Sequence, residues 1–317
     1  MTSRHLLDPD LAPMLELMPG DGLTKARLIE VRQAMTAMGK ANVPPPPGGV
    51  TVSERFAKGL NGAPDVRLLV TVSDAPGAQR PAVLHIHGGG FVMGSPDSSA
   101  ANTAGYAQAI GGVVVSVDYR LAPETQHPGP VEDCYAALKW LADNASELGV
   151  DPARIAVSGE SAGGGLAANL CLMARDKGEI KVAYQHLIFP MLDDRTCAEA
   201  DPHEFAGQFV WTRDANVYGW ESLLGHAPGA AETAPYAVAA RAESLAGLPP
   251  TFISCGALDL FIEEDITYAR RLIAAGVPTE LHIYPGAPHA FQMVQEARVT
   301  RAHAEVSLAA LKRGVGA

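Results

Sequence analysis

The chain lacks the features that mark several functional classes. No apolar run approaches 18 residues, so a membrane-spanning helix is excluded. Cysteine is scarce. Cys134, Cys171, Cys197 and Cys255 lie far apart, form no CxxC pair and have no histidine cluster at ligand spacing, which points to reduced, mostly buried thiols. The ten histidines form no HExxH or similar motif, so no metal is expected. Positive charge is also short. With 24 basic against 35 acidic residues the net charge is -11, which favours solubility and opposes binding to polyanions, so nucleic acid is not an expected partner. Met1 to Gly20 interleaves Arg4, Asp8, Asp10 and Glu16 with its apolar residues and has no small-residue cleavage site, so it is not a signal peptide and a cytoplasmic location is expected.

What is present is a serine in an unusual setting. Arg154-Ile155-Ala156-Val157-Ser158 is an apolar, strand-like run, Gly159-Glu160-Ser161-Ala162-Gly163 follows it, and Gly164 to Ala174 is a small-residue helical run. The expected local structure is a strand, a sharp turn with Ser161 at its apex, and a helix whose N-terminus faces that serine. A serine hydroxyl attacks poorly in water, so an enzyme must expose it, deprotonate it and stabilise the oxyanion it creates. Upstream, Ala82 to Ile86 is closed by His87-Gly88-Gly89-Gly90, where backbone N–H groups meet no side-chain obstruction. The spacing of the two clusters is that of an oxyanion loop and a nucleophile elbow.

At 317 residues, 47% of them hydrophobic, the chain has ample material for one large core with a small accessory part. Thr24 to Met38 has apolar residues at helical spacing, and the proline run Pro44 to Pro47 reads as a linker. Beyond it strand-like and helical stretches alternate. Val66 to Val72, Ala82 to Ile86, Gly112 to Asp118, Ile155 to Ser158, Ala183 to Phe189, Thr251 to Ser254 and Glu280 to Tyr284 read as strands, and Val131 to Asn144 and Ile266 to Ala275 as helices. This order predicts an α/β fold with a mostly parallel central sheet and helices on both faces. From residue 195 to about 235 the strand pattern lapses, and Phe205, Phe209, Trp211, Tyr218 and Trp220 crowd together. The expected division is a core of residues 46–195 and 236–317, and a helical cap of residues 1–45 and 196–235. Pattern alone also allows a helix pair that merely covers the core.

A serine nucleophile needs a base near neutrality, and the base needs an acid to orient it. The order that accompanies such an elbow is serine, acid, histidine. Asp259 follows the strand at Thr251 and His289 follows the strand at Glu280, each in a loop that leaves a strand's C-terminal end, the side on which open α/β sheets bind ligands. Ser161, Asp259 and His289 are therefore the candidate catalytic residues. Glu263, Glu264 and Asp265 are rivals for the acid, but they lie farther on, where acidic side chains suit a helix's first turn. His282 is the rival base but sits within a strand. His303 reads as solvated in a terminal helix, His87 as a support for the glycine loop, and His85, His127 and His186 as structural.

The chain resembles the bacterial esterases of the hormone-sensitive lipase family. The resemblance rests on His87-Gly88-Gly89-Gly90-Phe91, Asp118-Tyr119-Arg120-Leu121-Ala122-Pro123-Glu124, His127-Pro128 with Glu132-Asp133, the elbow, and Asp259 with His289, spanning roughly residues 80 to 292. It implies an α/β-hydrolase fold with a helical cap, no metal or organic cofactor, and hydrolysis of small-molecule esters with short to medium acyl chains. It also implies that the N–H groups of Gly89, Gly90 and Ala162 hold the oxyanion, with Gly88 shaping the loop, and at family level a homodimer. Two positions depart from the pattern. Glu160 stands where aspartate or threonine is usual, and Ala290 follows His289 where glycine is common. Neither removes a reacting atom, and Glu160 is placed near the site without a catalytic role. An amidase or deacetylase would use the same triad. A catalytically silent binding protein is disfavoured: plant gibberellin receptors, which resemble the family, have lost the catalytic histidine, whereas serine, acid and histidine all stand here. A lipase acting at oil interfaces is disfavoured by the lack of a long apolar lid, though the aromatic segment from Phe205 to Trp220 keeps that reading open.

Overall fold

Short runs rich in valine, isoleucine and leucine form the strands: β1 (Val50–Ala57), β2 (Val66–Ser73), β3 (Arg80–Ile86), β4 (Val113–Val117), β5 (Val150–Glu160), β6 (Tyr184–Ile188), β7 (Thr251–Gly256) and β8 (Thr279–Tyr284). The computed structural model describes residues 3–17, 23–33, 48–198 and 203–317. In it the strands make one sheet in the order β1-β2-β4-β3-β5-β6-β7-β8, with β2 antiparallel to both neighbours and every pair from β4 to β8 parallel. Strands β4, β6 and β7 are buried along their whole length, as strands covered on both faces must be.

Besides the helical residues 28–33, the α-helices among the described residues are α1 (Met14–Leu17), α2 (Ala100–Ile110), α3 (Gly129–Asp143), α4 (Ala162–Lys177), α5 (Arg213–Leu224), α6 (Ile262–Ala274) and α7 (Arg298–Val315). The connection β3-α2-β4 steps toward the β1 edge, whereas β4-α3-β5 and β5-α4-β6 step toward β8. Right-handed crossovers in opposite directions put α2 on one face and α3 and α4 on the other. Accordingly α2 packs with α7, and α3 packs with α4. The reversal leaves a crevice at the C-terminal ends of β3 and β5, where such sheets bind ligands.

The two faces of the sheet differ in chemistry. One register row joins Leu84 to Val115 and Val157, all fully buried; each such side chain contributes about 1.5–3 kcal/mol by leaving water. The adjoining row, facing the other way, joins Ser116, His85, Ser158 and His186. Its buried polar atoms are paired: Ser158 Oγ lies 3.0 Å from His186 Nδ1, and His186 Nε2 lies 3.0 Å from Ser307 Oγ on α7. His303, read from sequence as solvated, is instead buried on the inner face of α7, 3.0 Å from Ser254 Oγ. Burial pushes both His186 and His303 down to about 4, so they are neutral at physiological pH.

The sequence reading did not anticipate β1 or α2. Of the helix expected over Thr24 to Met38, residues 28–33 are helical, while residues 34–38 and the proline run Pro44 to Pro47 lie outside the described residues. The N-terminal segment meets the aromatic segment that follows β6: Ser3 N donates to Gln208 Oε1 (3.2 Å), and the His5 ring stands edge-on to Phe205. In α5, Trp220 is fully buried against Phe91, just beyond the glycine loop, at 5.0 Å between ring centroids.

Candidate active site

Strand β5 ends at Glu160 and α4 begins at Ala162, so Ser161 alone makes the turn, at φ 55° and ψ −122°. A non-glycine residue held there stores roughly 1–3 kcal/mol and persists only where its surroundings over-determine it. Here Ser161 N donates to Ile188 O (2.9 Å), and Ser161 O accepts from Gly165 N (3.0 Å) and Met191 N (2.9 Å). The flanking glycines are required by close approach. A Cβ on Gly159 would fall 2.2 Å from Gly163 O, and one on Gly163 would fall 2.1 Å from Ile86 O.

Three loops converge on the serine. Its Oγ lies 2.9 Å from His289 Nε2, and His289 Nδ1 lies 2.8 Å from Asp259 Oδ2. The other carboxylate oxygen of Asp259 accepts from Phe261 N (3.0 Å), which fixes its rotamer. Asp259 is fully buried, and Ser161 and His289 are nearly so. The acid and base loops are tied to each other, because Leu258 N donates to Ala287 O and Ala257 N to Tyr284 O, both at 2.9 Å. Phe189 and Phe261 meet the imidazole edge-on at 4.9 and 5.1 Å, and Trp211 lies 6.2 Å away.

The glycine loop lies against the elbow: a Cβ on Gly88 would be 3.3 Å from Ser161 Cβ. His87 Nδ1 donates to Gly88 O (2.8 Å), its ring stacks on Tyr119 at 4.3 Å, and Tyr119 Oη donates to His87 O (3.0 Å). Burial pushes His87 down to about 4, which suits a neutral brace. Gly89 O accepts from Val92 N and Met93 N, closing the turn. Gly90 lies under Trp211, whose ring would be 2.2 Å from an added Cβ. Ala162 supplies the first N–H of α4, where the helix dipole favours negative charge. His85 Nε2 donates to the two carboxylate oxygens of Glu160, each at 3.0 Å. Burial pushes the Glu160 carboxyl up, and His85 first, with His186 and His87, offsets this and holds it below its ordinary value.

The rivals are placed elsewhere. His282 pairs with Glu280 on β8 (2.7 Å), and Glu263 is exposed, 3.9 Å from His203. Glu264 and Asp265 stand in the first turn of α6, as expected, but both are buried. Glu264 Oε1 accepts from Leu192 N (2.6 Å) and Asp193 N, and its Oε2 accepts from Thr196 Oγ1. The rings of Phe189 and Phe261 around the base carried no periodic signal; for Trp211 the sole hint was the local density of aromatics. A cavity of about 600 Å³ opens between the segment around Gly207 and α6, lined by Leu260, Thr196, Tyr268 and Arg271, but by none of Ser161, Asp259 and His289. Among the described residues no group of histidine, cysteine and carboxylate side chains is arranged to hold a metal ion.

A serine hydroxyl hydrogen-bonded to an imidazole that is in turn hydrogen-bonded to a buried carboxylate is an arrangement suited to acyl transfer. Comparisons with known proteins give the family. Residues 83–293 match the family described as alpha/beta hydrolase fold. The esterase LipI of Mycobacterium tuberculosis is 34% identical over 286 residues, covering 87% of this chain and 85% of that protein. The carboxylesterase NlhH of the same organism is 33% identical over the full length of both. A solved structure titled bacterial heroin esterase superimposes with a TM-score of 0.93 at 41% identity, covering 99% of each chain. The chain therefore belongs to the α/β-hydrolase fold family, within its hormone-sensitive-lipase-like esterases.

Proposed function

We propose that the protein is a serine carboxylesterase that hydrolyses small-molecule esters of short to medium acyl chain through an acyl-enzyme intermediate. The observation that carries this reading is the unbroken Ser161–His289–Asp259 hydrogen-bond line. His289 Nε2 takes the proton of Ser161 Oγ as the oxygen attacks the ester carbonyl. The N–H groups of Gly89, Gly90 and Ala162 receive the oxyanion, each such donor being worth about 3–4 kcal/mol of barrier. His289 then returns the proton to the departing alkoxide. Water, activated by the same imidazole, releases the acid and restores the serine. Asp259 holds the ring and stabilises the imidazolium.

In this reading residues 1–45 and 196–235 form a cap, and Trp211, close over Gly90 and His289, limits the room beside the serine, which favours shorter acyl groups. No helix among the described residues is long and apolar enough to cross a membrane, and the four buried thiols are unpaired, which suits a reducing cytoplasm. The test is hydrolysis of p-nitrophenyl esters from acetyl to dodecanoyl. Activity is expected to peak at short chains, and Ser161→Ala is expected to lose roughly 10⁴- to 10⁶-fold in turnover while remaining folded. Near-wild-type activity in that variant would refute the assignment, and hydrolysis of a matched amide in place of the ester would move the reading to an amidase.

A further inference from the structure

The β3–β5 ladder ends at the pair Ile86 and Gly159. The nucleophile and the oxyanion donors of the proposed reaction lie beyond that point, with the glycine loop after one strand and the elbow after the other. Across the gap the two backbones approach closely, so that a Cβ added to Gly88 would fall 3.0 Å from Glu160 O. One polar link spans it. His85, fully buried on β3 two residues before the loop, donates to both oxygens of Glu160, the residue immediately before Ser161. Ser116 Oγ lies 3.3 Å from the other ring nitrogen, which leaves Nε2 as the N–H that faces the carboxylate.

We propose that His85 and Glu160 form a clamp that sets the separation of the two halves of the oxyanion pocket, Gly89 and Gly90 on one side and Ala162 on the other, so that Glu160 is a positioning residue for the esterase reaction proposed above, on which this inference rests. Backbone donors must meet the oxygen where it sits in the transition state, so a loosened clamp weakens binding of that state more than binding of the ester. The loss then appears in kcat, and KM is spared.

The experiment uses the full-length protein with p-nitrophenyl acetate and a trifluoromethyl ketone inhibitor, whose carbonyl becomes a tetrahedral oxyanion on Ser161. For Glu160→Gln, kcat is expected to fall roughly 10- to 100-fold with KM within about twofold, and the ketone's Ki to rise in parallel. His85→Leu is expected to show the same loss, and the double variant no more than either single one. His85→Gln keeps an N–H donor near the position of Nε2 and should recover most of the rate. Folded Glu160→Gln and His85→Leu proteins with wild-type kcat and Ki, assayed well below their unfolding temperatures, would overturn the clamp. So would a loss confined to KM. Should Glu160→Gln not fold, the contrast between His85→Leu and His85→Gln decides by the same criteria. An inactive wild-type protein removes the esterase reading and the clamp with it; an active wild type with indifferent variants sinks the clamp alone.

Discussion

Ala290 follows the histidine base with a left-handed backbone, φ 57° and ψ 27°, and precedes Phe291, which is fully buried. An L-residue there costs about 1–2 kcal/mol, and glycine escapes most of it while losing more freedom on folding. Ala290→Gly is therefore expected to gain up to about 1 kcal/mol in urea denaturation with little change in esterase rate; a loss of that size would contradict the backbone assignment. The sequence showed that this position departs from the family's usual glycine, but the reason, a positive φ, is a property of the folded loop. Ser161, Asp259 and His289 were legible for a different reason. Each sits just past a strand with a local signal of its own, and chemistry fixes their order.

At the level of elements, the clearest signals came from strands buried on both faces. Strand β4, Val-Val-Val-Ser-Val, announces itself, whereas β1 at the sheet edge, Val-Thr-Val-Ser-Glu-Arg-Phe-Ala, is mixed and largely exposed. Helix α2, built largely of small residues, lacks a marked apolar stripe. His303 was misread because a helix's inner face is settled by what lies across from it, and Ser254 is 49 residues away. Glu264 illustrates the same limit: three residues that it binds, Leu192, Asp193 and Thr196, fasten the exit from β6 to the first turn of α6. Glu264→Ala would strand the buried Leu192 N–H and free the half-buried donors of Asp193 and Thr196, at a cost of about 1–3 kcal/mol. Limited proteolysis with mass spectrometry is expected to cut this variant first between residues 195 and 235; unchanged stability and cleavage would show that the carboxylate fastens nothing.

Across the whole molecule two sets of buried groups oppose each other in their response to pH. His87, His186 and His303 are depressed by burial from 6.5 to about 4, so their contribution is present above about 6.5 and is lost as pH falls toward 4. Glu264 and Asp265 are raised by burial, so they hold protons in the fold that the unfolded chain releases, and stability falls as pH rises above their ordinary values. Asp265 is the sharper case, fully buried, with only the weak Cys255 thiol beside its carboxyl and with Glu264 and Asp259 as acidic neighbours. Asp265→Asn keeps the shape without the ionisation. Its stability relative to wild type is expected to be near parity at pH 4 and to climb by about 1.4 kcal/mol for each pH unit until the folded carboxyl ionises. Denaturation curves from pH 4 to 8 measure this, and a flat difference would mean that Asp265 is already ionised in the fold.

Ser161, Asp259 and His289 leave the sheet on three short loops after β5, β7 and β8, whereas Trp211 arrives on a segment inserted between β6 and β7. That division separates two kinds of evolutionary freedom. The inserted segment can lengthen, shorten or exchange its aromatic residues without moving a strand end, so selectivity can drift while the reacting atoms stay in register. On the function proposed above, a mutational library confined to residues 203–210, which leaves Trp211 in place over Gly90 and His289, is expected to change substrate preference more than turnover, and one placed in the three loops to yield mostly inactive proteins.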